Sequence, residues 1–155
     1  MNSQLRKMIV NAEGRYLTEP EAARIRDFAL GIGARLEATR RLEAAEDRIV
    51  QAALAAFSAQ HREYLQKTPD AAQKTARDFR LTLRYVAAAH VRRDPEFFHR
   101  NYASWIGELL RTMIDPSVIS AGNEHLRAAL DATLDPADSR EFLPYLDQFL
   151  AELRR

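Results

Sequence analysis

Lys74-Thr75-Ala76-Arg77-Asp78 lies inside residues 69–93, a long helical pattern free of Gly and with Pro only at its first position. Phe79, Leu83, Val86 and Ala87 recur at helical spacing and predict the face that turns to a core. Lys74 and Asp78 stand four apart, while Arg77, Arg80 and Arg84 step along a neighbouring stripe, so the charges share one broad side. Two readings fit that side: a solvated face, or the lip of a cleft that holds an acidic ligand.

Outward from this helix the rest of the chain also reads as helix. Only 5 of the 155 residues are Gly, and no alternating strand pattern occurs. Residues 3–12 form a short helix with Leu5, Met8 and Ile9 on one side, ended by Gly14. Thr18-Glu19-Pro20-Glu21 is a capping-box signature opening a second helix to about Leu30, with Ala22, Ile25, Ala29 and Leu30 as its apolar side. Gly31-Ile32-Gly33 interrupts the pattern and permits a turn. From Ala34 to about Gln66 the period resumes, with Leu36, Leu42, Ile49, Ala53 and Phe57 as buried positions. Arg40, Arg41, Glu43, Glu46, Asp47 and Arg48 between them read mostly as solvated pairs of small energetic worth.

Four later starts share one device, a capping residue followed by Pro at the first helical position: Thr68-Pro69, Asp94-Pro95, Asp115-Pro116 and Asp135-Pro136. They predict helices over about 69–93, 96–113, 117–134 and 136–154. Phe142, Leu146, Phe149 and Leu150 form the buried side of the last. Seven or eight helices with short links give an all-α, globin-sized body over 34–155. Residues 1–31 form an N-terminal two-helix extension to a single domain of 1–155. Such an extension cannot bury both its apolar faces against one body, and pairing with a second copy is the natural solution.

Composition narrows the function classes. Charged residues make up 29% and hydrophobic ones 46%, which predicts an ordered globular chain. No apolar run or leader pattern suggests a membrane span, and a cytoplasmic location is expected. The absence of Cys excludes thioether attachment, thiolate chemistry and disulfides within the chain. Net charge is +1, yet residues 67–114 hold 9 Lys/Arg against 5 Asp/Glu and residues 115–155 hold 4 against 8. A nucleic-acid partner does not follow from that balance. No nucleophile elbow or phosphate-cradling loop occurs, and Asp78 has no partner acid at helical spacing, so an enzyme is not expected. None of the four His lies three or four residues from another, which argues against a helix-borne metal site. His90 and His99 flank the end of the central helix and are the candidates for haem ligation. Trp105, with Tyr102, Ile106 and Leu109, fits either a flat aromatic pocket wall or core packing.

The segments Met8-Ile9-Val10-Asn11-Ala12-Glu13-Gly14-Arg15-Tyr16-Leu17 and Glu21-Ala22-Ala23-Arg24-Ile25-Arg26-Asp27-Phe28 resemble the N-terminal hairpin of phycobiliproteins, closest to allophycocyanin. The resemblance continues through Arg35-Leu36, Glu46-Asp47-Arg48-Ile49-Val50, Phe57, Thr75-Ala76-Arg77-Asp78-Phe79, Leu83-Arg84-Tyr85 and Asp94-Pro95, and weakens after Asp115. It implies a globin-like phycobiliprotein fold. In that family a Cys-x-Arg-Asp segment attaches a linear tetrapyrrole, or bilin. Its Arg meets a propionate and its Asp accepts hydrogen bonds from pyrrole N–H groups. Arg77 and Asp78 match those two residues, Lys74 matches a second basic residue for a propionate, and Thr75 stands where the Cys would be.

The departures from the family are equally informative. Thr75 permits no thioether. The family's Pro-Gly-Gly-Asn loop is missing between Ser58 and Pro69, and Leu81 and Thr82 replace paired Tyr residues. Asn11 stands where the family commonly has an Asp that pairs across a dimer with an Arg matching Arg84. The pattern therefore argues against light harvesting and is most similar to bilin biosynthesis-associated globins. That resemblance implies non-covalent binding of biliverdin or a reduced bilin by Lys74, Arg77 and Asp78, with Tyr85 and Trp105 as walls. It also implies a homodimer through Asn11, Tyr16 and Arg84, and accessory work beside bilin-making enzymes such as haem oxygenase or a bilin reductase. A haem-binding globin and a pure interaction partner with a vestigial pocket are the rival expectations.

Overall fold

A computed structural model describes residues 2–67 and 69–155, so the expected cap Thr68 lies outside the described residues. Among the described residues, nine α-helices and one π-helical turn account for the order: α1 Ser3–Asn11, α2 Glu19–Leu30, α3 Ile32–Gln60, α4 Arg62–Lys67, α5 Ala71–Arg92, α6 Pro95–Phe98, the π turn His99–Ala103, α7 Ser104–Met113, α8 Pro116–Thr133 and α9 Pro136–Leu153. Among the described residues there is no strand, as the scarcity of Gly and the helical periods predict. No helix among them is long and apolar enough to cross a membrane.

Helix α3 is the central strut, packed against α5 and α8, and α9 closes the body against α5, α7 and α8. The buried side of α3 is Arg35, Ala38, Leu42, Ala45, Ile49, Ala53 and Phe57, a 3–4 stripe that Val50 widens beside Ile49. Leu36 falls one position, about 100°, off that stripe. It is 42% exposed rather than buried. Phe79, Leu83 and Val86 of α5 and Phe142, Leu146, Phe149 and Leu150 of α9 complete the core, with Phe98 and Tyr102 between them.

The Asp-Pro starts hold at α6, α8 and α9. Asp94 accepts the Phe97 amide at 2.9 Å and Asp115 the Ser117 amide at 2.8 Å, whereas Asp135 makes no side-chain cap. Helix α5 departs from the pattern. It begins at Ala71, and its cap Asp70 has φ 58, the left-handed region. The expected helix over 96–113 is divided by the π turn, and α4 is separate from α3 because His61, at φ −119 and ψ 39, leaves helical geometry.

Gly31 forms a one-residue hydrogen-bonded turn between α2 and α3, while Ile32 and Gly33 already belong to α3. Gly31 keeps right-handed helical dihedrals, donates to Asp27 O at 3.3 Å and accepts from Arg35 N at 3.3 Å, so α2 nearly runs on into α3. Glu21 accepts the Thr18 amide at 2.8 Å and ion-pairs with Arg15. The Arg15 hydrogen bond first, then that amide, lower the Glu21 carboxyl to about 2. Helix α1 is anchored at its start: Asn2 Nδ2 donates to Arg92 O and Arg93 O, and the Ser3 amide to buried Asp94.

Candidate functional site

Helix α5 carries Thr75, Asp78, Phe79 and Thr82 along one edge, and these residues line a largely apolar cleft. Facing them are Phe57 of α3, Tyr64 of α4, Tyr102 of the π turn, Ile106 of α7 and Gly122 and Asn123 of α8. Empty space in the cleft totals about 580 Å³ including its open mouth, but the accessible volume is only about 70 Å³. That interior admits a few waters, not a large ring system.

The α5 spacing explains which charges reach the cleft. Asp78 lies three residues from Thr75 and four from Thr82, on the shoulder between the buried stripe and the charged one. Arg77 donates Nε–H and Nη2–H to Asp78 Oδ1, both at 3.0 Å. Both bonds fall on one oxygen, and Oδ2 faces no hydrogen-bond donor among the described residues. Lys74 Nζ turns back to Pro69 O at 3.1 Å. Arg80 and Arg84 reach instead to α3, pairing with Asp47 at 3.0 Å and Glu46 at 2.9 Å. The broad charged side is thus both things at once: Asp78 borders a cleft, while Arg80 and Arg84 make exposed ties between helices.

At the cleft floor the Thr82 hydroxyl and Tyr102 OH share a hydrogen bond of 2.6 Å, and Thr82 also donates to Asp78 O. Burial first, with the nearby Asp78 charge adding to it, raises the Tyr102 phenol, and the same two causes raise that of Tyr64. Both phenols stay neutral donors at physiological pH. Asn123 is buried, with Nδ2 donating to Ile119 O at 3.0 Å and Oδ1 left with no partner among the described residues. Gly122 opens the wall beside it: a Cβ there would meet the Phe57 and Phe79 rings at 3.6 Å.

Of the residues marked in the sequence, the cleft brings together Thr75 and Asp78, with Arg77 attached through its ion pair and Lys74 one turn away. Tyr85 lies outside the lining, stacked on Tyr102 at 4.6 Å between centroids. Trp105 is 46% exposed, donates Nε1–H to Asn101 O, and is neither core nor cleft wall. Tyr102 and Ile106, grouped with Trp105 by spacing, are the ones that reach the cleft, whereas Leu109 is exposed. Neither His90 nor His99 borders it. His90 is buried against Phe142, its basicity lowered by burial against the pull of Glu141, and His99 sits beside Glu152. Asn11 and Tyr16 are exposed on the N-terminal hairpin, and Arg84 is engaged by its own chain's Glu46.

Asn123 and Gly122 were not singled out from the sequence. A signal existed, since a Gly in a helix interior lowers helix stability by about 1 kcal/mol and usually marks a close approach. Among the described residues no group of three His, Asp or Glu is placed to hold a metal. The family model described as phycobilisome protein matches residues 8–153 of the chain. No curated protein matches it.

Proposed function

Because the chain belongs to the phycobilisome protein family, we propose that it binds a linear tetrapyrrole without a covalent bond and serves as a carrier or accessory protein in bilin biosynthesis. The observation that carries this reading is Asp78, a carboxylate with one oxygen free of donors among the described residues, set on the rim of the apolar cleft beside Thr75. An apolar lining with a few placed polar groups is what a flat, conjugated ligand requires. The polar groups at the rim fit a bilin. Asp78 would accept pyrrole N–H groups, and Arg77 and Lys74 would meet the propionates. A bound bilin supplies visible absorbance; Thr75 in place of a thiol leaves it free to dissociate. The narrow interior means that binding uses the open mouth of the cleft. Two copies of the chain are proposed to pair through the N-terminal hairpin, and the cytoplasm is the proposed location.

Absorbance titration of the full chain with biliverdin, alongside haemin, tests the reading. A saturable, red-shifted and sharpened bilin band is expected, and Asp78→Ala should weaken it by about tenfold, the worth of a charged hydrogen bond. A band that Asp78→Ala leaves unchanged removes Asp78 from the site. A Soret band that survives desalting and disappears on replacing His90 or His99 would favour a haem globin instead.

A second reading has its own support. Trp105, Leu109 and Met113 of α7 stand four apart and are all exposed, with Met113 at 72%. That stripe suits an interaction partner such as haem oxygenase or a bilin reductase, the cleft being vestigial. Co-elution with such an enzyme in the absence of pigment, together with a flat titration, would select this reading.

A further inference from the structure

At the other end of α5 a second cleft of about 500 Å³ opens between the start of α3 and α9. Its lining differs in kind from the first. Arg35, Arg93 and Arg140 border it with a single carboxylate, Glu141, and with His90 and Gln148. The acceptors that would ordinarily absorb this charge are already occupied. Arg35 donates to Phe28 O at 2.8 Å and Val91 O at 3.0 Å, and Tyr145 OH donates to Ala89 O. Asn2 caps Arg92 O and Arg93 O, so the last carbonyls of α5 offer little further to a cation. Asp27 answers one nitrogen of Arg93, Nη1, at 3.0 Å, and Arg140 holds Pro136 O through Nε alone, leaving its terminal nitrogens available. His90, 4% exposed, borders the cleft with Nδ1 3.8 Å from Glu141, while its Nε2 is buried with no hydrogen-bond partner among the described residues.

We propose that this cleft is a binding site for a small multivalent oxyanion of the phosphate or pyrophosphate type. Guanidinium nitrogens of Arg93 and Arg140 and the neutral amide of Gln148 form a donor set complementary to phosphate oxygens, with the positive charge of Arg35 behind them. The volume lies in the range of small-ligand sites, about 300–1,000 Å³. Glu141 is the one opposing charge on the lining, and it faces His90 Nδ1 at 3.8 Å.

Calorimetric titration of the full chain with inorganic phosphate and pyrophosphate at fixed low ionic strength tests the site. One saturable event is expected, tighter for pyrophosphate, with the His90 ring nitrogen resonances moving as the site fills. Arg140→Gln should weaken it about tenfold. Arg40→Gln removes the same charge from a solvent-exposed pair with Glu37 and should leave it unchanged. No saturable heat overturns the proposal. Equal weakening by both variants overturns it in favour of general charge attraction, and unmoved His90 resonances overturn the placement. None of these outcomes bears on the bilin titration, since the two clefts share no lining residue.

Discussion

A Cβ added at Gly31 would lie 2.6 Å from Arg35 Nη1, so at this residue a hydrogen is needed for clearance and not for backbone freedom. The dihedrals there, φ −81 and ψ −4, suit any amino acid. What Gly31 admits is a guanidinium that is 7% exposed, bonded to Phe28 O and Val91 O, and 4.7 Å above the Phe28 ring. Burial first, then repulsion from Arg93, lower the basicity of Arg35, the mark of a charge held where it is poorly solvated. Ala in place of Gly in a helical backbone ordinarily stabilises by about 0.5–1 kcal/mol. Here the opposite sign is expected: Gly31→Ala should destabilise by about 1–2 kcal/mol, since the guanidinium must release a carbonyl. Urea midpoints decide it, and a raised midpoint would mean that Arg35 swings clear at no cost. None of this was legible in the sequence. Gly31-Ile32-Gly33 marked the break between α2 and α3, but spacing shows where a Gly is and not which side chain needs its space.

Elements were legible where a local rule fixes them and not where a distant partner does. The Asp-Pro pairs at 94–95, 115–116 and 135–136 mark true helix starts because Pro presets φ and needs no amide partner. The π turn left no such mark, and it is what sets Tyr102 on the cleft and Ala103 in the core. Arg41, read as one of a set of solvated charges, in fact grips Asp138 with both Nε and Nη2, at 2.5 and 2.8 Å, and ties α3 to α9. Nothing within either helix reveals a pair 97 residues apart. The Arg41 hydrogen bond, opposed by burial, holds the Asp138 carboxyl below the usual carboxylate range. Its folded value is therefore lower than its unfolded one, so its stabilisation is complete above the ordinary carboxylate range and is lost as pH falls through the depressed value. Asp138→Asn should accordingly lower the urea midpoint at pH 7, and the gap to the unaltered chain should close below about pH 4. A gap that stays constant with pH would mean that the pair docks α9 by packing rather than by charge.

For the whole molecule, fold class was the most legible property, since sparse Gly, absent alternation and marked helix starts all point the same way. The cleft was half legible: periodicity put Asp78 on the charged side of α5, but its place at the rim and the opposing wall from α4, α7 and α8 are products of tertiary packing. Assembly is where sequence and structure pull together most usefully. The hairpin is tied down at Asn2 and Ser3, and Ala12 is buried, yet several of its large apolar residues stay uncovered. Tyr16 is 97% exposed and Leu30 86%, with Ile9, Val10, Leu17, Ile32 and Leu36 also in solvent. An anchored helix pair with so much apolar surface is built to meet a second surface, and a second copy offers the same patch in two-fold arrangement. Charge contributes little to that proposed contact. Asn11 carries none, and Arg84 already holds Glu46 with two nitrogens, at 3.1 and 2.9 Å. Sedimentation equilibrium should thus find a dimer that Tyr16→Ser weakens about tenfold or more, as removal of a central aromatic does. Arg84→Ala should change its dissociation constant little. The reverse order of sensitivities would put the charge pair at the centre of the contact. A chain that stays monomeric at all concentrations would leave the apolar hairpin to a different partner, and the α7 stripe of Trp105, Leu109 and Met113 would then be the second place to look for one.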